Sequence, residues 1–160
     1  MQPQKLQTIP TRSEYSCMTI ADIKALYEEY TAEAEKVERE SKPADGLFGM
    51  GRKPSDDPCH DRFSDKLEAM LKEYADGDPD PAEVYEVLEY IYSAPAEHKE
   101  PLSVYWLMNA VQGFTSELVQ KLEKADAERL YVMYRKEYPR WKRLPVQKKI
   151  FSELDRLRKK

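Results

Sequence analysis

Cysteine, glycine and histidine are all scarce in this chain of 160 residues, which has two Cys, five Gly and two His. Two thiols, Cys17 and Cys59, do not make a disulfide framework and point to a reducing, cytoplasmic setting. Zinc sites are built from paired Cys/His spacings, and none occurs, so neither a metal nor a cofactor is expected. No run approaches the roughly 18 consecutive apolar residues that span a bilayer. The longest candidate, residues 104–111, is broken by Asn109 and followed by Gln112. Strand-like alternation of apolar and polar residues is missing as well, which argues against a sheet. The first 16 residues lack an apolar core of the kind a secretory signal carries.

What is present is charge sorted by position. Residues 63–100 hold 3 Lys/Arg against 11 Asp/Glu, a net of −8. Residues 135–160 hold 11 against 3, a net of +8, so the formal total of −4 conceals two opposed poles. Sorting of this kind bears on partners or self-docking and not on fold.

Helical periodicity accounts for most of the chain. Ile20, Ile23, Leu26, Tyr30, Ala34 and Val37 recur at three- and four-residue steps, with Thr19 as cap and Asp22 as its capping-box partner. Asp57-Pro58 and Asp80-Pro81 each read as a cap followed by a proline at the first helical position. Gly77 is a stop between them, and the third helix should end before Pro95. Pro101 opens a segment that is apolar on nearly every side through Met108, the mark of a helix contacted all round. Gly113 signals a kink or a close helix crossing within it. The pattern restarts near Ala125 and runs to Tyr138, and Pro145 opens a last helix with Ile150, Phe151, Leu154 and Leu157 on one side. The expected fold is all-α: one bundle-like domain of about six helices over 19–160, a loosely ordered tail over 1–18, and a long Gly/Pro loop over 43–57.

Catalytic motifs are weak. Gly46 and Gly51 have the spacing of a phosphate-cradling loop, but Arg52, Lys53 and Pro54 follow where that motif needs Lys then Ser/Thr, and the loop follows a helix instead of a strand. Cys59 and His60, at a helix start, could supply a nucleophile and a base. Adjacent helical residues point apart, however, and Asp56, Asp57 and Asp61 disfavour a thiolate. No catalytic residue is therefore assigned, and an enzyme using Cys59 and His60 stays as an alternative.

The partner-binding candidates are of two kinds. Leu47, Phe48 and Met50 are large apolar residues on the Gly/Pro loop, which either fold back on the helices or dock on a partner. In the basic segment 139–160, Arg140, Trp141, Lys142, Arg143, Lys148 and Lys149 interleave cations with an aromatic. They suit an acidic protein partner or self-association, with nucleic acid as the alternative and a membrane surface behind both. Eleven tyrosines against four phenylalanines suit either an interface or a core rim with its hydroxyls in water. The leading expectation is a non-enzymatic interaction or regulatory module.

Overall fold

The computed structural model describes residues 18–40 and 59–160. Leu47, Phe48, Met50, the glycine loop and nearly all of the N-terminal tail lie outside the described residues. Among those described, the chain is all α-helical and has no strand. The helices are α1 (Ile20–Glu40), α2 (His60–Asp76), α3 (Pro81–Glu97), α4 (Leu102–Ala110), α5 (Ser116–Val119), α6 (Lys124–Glu137) and α7 (Pro145–Arg158). A 3-10 segment, Val111–Thr115, joins α4 to α5, and a 3-10 turn, Arg140–Lys142, joins α6 to α7. Counting α4, its 3-10 continuation and α5 as one broken rod gives six rods.

The start signals of α1 and α3 act as expected, whereas α2 begins at His60 with Cys59 as its cap and no side-chain cap bond, and the expected Asp57-Pro58 start lies outside the described residues. The Asp80 carboxylate accepts the Ala82 N–H at 2.8 Å while Pro81 occupies the first turn, where a missing N–H costs nothing. Asp22 reaches back to the Thr19 N–H at 2.7 Å, the carboxylate half of a capping box. Gly77 ends α2 by donating to Glu73 and Tyr74 carbonyls, but its φ is −76°. The left-handed residue is the next one, Asp78, at φ 53°, a conformation that Asp tolerates better than most residues.

Two expectations fail. Helix α3 does not stop before Pro95 but continues through it to Glu97, and His98 closes the last turn by donating to Ala94. So near the end, a proline forfeits one hydrogen bond, and Pro95 is buried, so its ring adds apolar contact. Helix α4 is not contacted all round either. Val104, Leu107 and Met108 face the core, yet Leu102 is 59% and Trp106 45% exposed. Uniform apolar composition records where water could be excluded, and among the described residues no element covers the outer side of this nine-residue helix.

Helix α3 is the central rod and touches α1, α4, α5 and α6. Its Val84, Val87, Leu88, Ile91 and Tyr92 are almost fully buried, each aliphatic contributing about 1.5–3 kcal/mol. Helices α1 and α2 run antiparallel, since Glu33 pairs with Arg62 and Glu29 with Lys66. Helix α7 lies along α6 and against α5 and the 3-10 segment. At Gly113 that approach is close: a Cβ there would sit 3.0 Å from Val146 Cγ2. The sequence signal of kink or close crossing resolves as both at once.

The tyrosines are not a wet rim. Tyr27, Tyr30, Tyr92 and Tyr134 are among the largest fully buried side chains. Gln112 is the hub that joins Tyr134 and Tyr138. Its amide oxygen accepts from Tyr134 at 2.7 Å and its amide nitrogen donates to the Tyr138 hydroxyl at 2.8 Å. Tyr138 in turn donates to the Tyr92 carbonyl, and the Tyr92 hydroxyl shares a 2.7 Å bond with Thr115. Paired this way, buried polar groups hold α3, the 3-10 segment and α6 in one register. Burial pushes the hydroxyls of Tyr27, Tyr92, Tyr134 and Tyr138 well above the usual tyrosine pKa.

Candidate functional site

The site is built on the turn between α6 and α7. Tyr138 closes α6 and sends its hydroxyl into the Gln112 network. Pro139 then breaks the helix, and Arg140–Lys142 form one 3-10 turn closed by a 2.8 Å bond from Lys142 N–H to the Pro139 carbonyl. On the far side, the Gln147 side chain accepts the Leu144 N–H at 3.0 Å and donates to Asn109 of α4 at 2.7 Å. Gln147 is buried. Both ends of the turn are thus tied to α4 or its 3-10 continuation, and the short turn between them has little freedom.

That anchored turn holds Trp141 in water, 82% exposed, the most exposed of the large apolar side chains among the described residues. Arg140 and Lys142 beside it and Lys148 and Lys149 on the first turns of α7 are exposed. None of these four cations forms an ion pair among the described residues. An exposed indole next to unpaired cations is a surface that can contribute large apolar area and charge together.

Arg143 is placed differently. It is half-buried, donates from Nε to the Tyr138 carbonyl at 2.8 Å, and lies 3.7 Å over the Phe151 ring. Phe151 stacks on Tyr131 at 4.7 Å, and Arg158 covers the other face of the pair at 3.9 Å from Tyr131. The result is a four-layer stack of cation, two rings and cation between α6 and α7. Arg158 also pairs with Asp155 and Glu128, Arg156 bonds Gln120, and Lys159 pairs with Asp155. The Lys159 ammonium and then Arg158 hold the Asp155 carboxyl below its usual range. Of the basic segment, Arg143 and Arg158 therefore serve the α6–α7 seam, Arg156 and Lys159 bond elsewhere on the protein, and Arg140, Lys142, Lys148, Lys149 and Lys160 face outward. No ion pair among the described residues links it to the acidic α2 and α3 of its own molecule.

The structure brings Trp141, Arg140, Lys142, Lys148 and Lys149, which the sequence groups only as one basic segment, to one end of the α6–α7 hairpin, and sequence reasoning misses the stack and the Gln112 hub. Asn109 and Gln112 did carry a signal, as polar breaks in the longest apolar run. Cys59 precedes α2 and is buried, at 8% exposure, while His60 directs Nδ1 to Asp61 at 3.0 Å. No group of three or more His, Cys, Asp or Glu suited to a metal ion occurs among the described residues. No helix there is long and apolar enough to cross a membrane.

Away from this turn, α1 and α2 border an open groove of about 410 Å³. Ala25, Leu26, Ala69 and Met70 supply its apolar lining, and Asp22, Glu29, Glu73 and Lys66 its charged one. Lys66 lies 3.9 Å from Glu29, which leaves Asp22 and Glu73 as the excess. Compared with protein-family models, curated proteins and solved structures, the chain shows no match.

Proposed function

We propose that this protein is an interaction module that takes an acidic protein segment on the surface formed by Trp141, Arg140, Lys142, Lys148 and Lys149. The observation that carries this reading is the anchored exposure of Trp141 among cations that form no ion pair among the described residues. A side chain of that size left in water by a rigid turn forfeits about 1.5–3 kcal/mol of burial. A partner recovers that energy without ordering the turn first, since the turn is already held. The cations add steering and orientation more than affinity, because exposed pairs are individually worth about 0–1 kcal/mol.

Titration with a Glu-rich peptide containing apolar residues, followed by calorimetry, tests this. Trp141→Ala should weaken binding by about tenfold or more. Lys148→Glu with Lys149→Glu should weaken it and flatten its salt dependence. Binding that neither variant alters would refute the reading. Tighter binding of duplex DNA or RNA, with affinity falling steeply as salt rises, would instead assign the surface to nucleic acid.

A further inference from the structure

The cationic turn has a counterpart within the same chain. The groove between α1 and α2 joins an apolar lining of Ala25, Leu26, Ala69 and Met70 to three carboxylates against one ammonium. The turn presents the converse, one large apolar side chain beside Arg140 and Lys142. At about 410 Å³ the groove has room for an indole. The turn lies between α6 and α7, whereas the groove is formed by α1 and α2. No ion pair joins these two surfaces among the described residues. Larger-scale charge agrees, with −8 over residues 63–100 against +8 over residues 135–160. Because each copy carries both surfaces, contact between them is head-to-tail or reciprocal.

We propose that the partner is a second copy of this chain, with Trp141 of one molecule seated in the α1–α2 groove of the next and Arg140 and Lys142 against Asp22 and Glu73. The proposal rests on the reading of Trp141 as a binding surface and adds the identity of its acidic partner. It selects the groove over the wider acidic faces of α2 and α3 because the groove offers an apolar floor and carboxylates together in a volume of about 410 Å³.

Sedimentation velocity on the full chain over a wide concentration range tests it at about 50 mM and about 500 mM salt, where screening differs severalfold. The wild type should associate with rising concentration, and more weakly at the higher salt. Trp141→Ala should be monomeric. So should a groove variant, Ala69→Arg with Glu73→Lys, and a second from the other wall, Ala25→Arg; all three positions are exposed, and circular dichroism checks that the helices remain. Mixing Trp141→Ala, whose groove is intact, with the groove variant, whose Trp141 is intact, should restore a one-to-one heterodimer. Association that the groove variants leave unchanged, or a mixture that stays monomeric, would overturn the proposal. A wild type that remains monomeric while a Glu-rich peptide still binds through Trp141 would overturn it too, and leave the reading of the Trp141 surface standing.

Discussion

Removing a single oxygen from the core should have opposite effects at Tyr27 and Tyr134. Both side chains are fully buried. Tyr134 donates to the Gln112 amide oxygen at 2.7 Å, and Gln112 itself is inaccessible to water. Tyr134→Phe leaves that oxygen without its donor in a dry site, a loss of about 1–3 kcal/mol. The Tyr27 hydroxyl has no hydrogen-bond partner among the described residues. Its removal from water on folding is matched by no hydrogen bond among the described residues, a penalty of the same order that Tyr27→Phe removes. The ring contacts survive, since Phe keeps the edge-on approaches to Phe63 at 5.2 Å and to Tyr90 at 5.4 Å. Allowing for partial relaxation, Tyr27→Phe should gain about 1 kcal/mol while Tyr134→Phe loses about 2 kcal/mol. For a chain of this size that separates the two melting temperatures by about 6–12 °C. Urea unfolding followed by circular dichroism, with thermal melts alongside, measures both, and equal m-values would confirm that the same transition is being compared. If Tyr27→Phe loses stability as Tyr134→Phe does, pairing within the core is not what separates these two hydroxyls.

The buried tyrosines also set the alkaline limit of the fold. Their hydroxyls hold protons in the folded chain at a pH where the unfolded chain releases them, so their stabilisation is complete below about pH 10 and falls as pH rises beyond it. Tyr27, Tyr92, Tyr134 and Tyr138 together should remove about 5 kcal/mol per pH unit above that point, seen as a steep fall in unfolding midpoint coincident with tyrosinate absorbance. Tyr90, pushed up to about 12 by partial burial and then by Glu28 and Glu97, should ionise ahead of those four. At Gly113, substitution by Ala brings a methyl group 3.0 Å from Val146 and should cost about 1 kcal/mol, a cost that Val146→Ala abolishes in a double-mutant cycle. Arg143→Lys should lose about 1 kcal/mol with its stacking on Phe151, whereas Lys149→Ala should stay within about 0.5 kcal/mol; comparison of urea midpoints decides.

What the sequence discloses is largely what neighbouring residues decide. Asp80-Pro81 and Pro145 mark helix starts because a cap and a first-turn proline act within four residues. The six rods follow from apolar spacing, and Gly113 announces its own close approach. Pro95 misleads because proline is a breaker only where the hydrogen bond it removes is needed, and at the end of α3 the loss is small. Trp106 and Leu102 mislead because apolar character does not say which side of α4 has a neighbour. The tyrosine hydroxyls, Gln112 and the stack through Arg143 and Phe151 join residues far apart in sequence, so no local pattern displays them. The outward cations around Trp141 were legible as a cluster. The groove was not, since it depends on the antiparallel register of α1 against α2.

Arginine and lysine divide the basic segment between them on physical grounds. A guanidinium is flat and weakly hydrated, so it stacks on rings and bonds carbonyls at modest desolvation cost, as Arg143 and Arg158 do. An ammonium is compact and strongly hydrated, and Lys142, Lys148 and Lys149 accordingly stay in water. Arg140 departs from this division. It is exposed, with no ion pair or ring under it among the described residues, one position before an indole that is also in water. Folding would give the same turn with Lys at 140 and a polar residue at 141, because the anchors are Tyr138 and Gln147. The residues chosen there suit removal from water better than exposure to it, which is what the proposed docking of this turn requires.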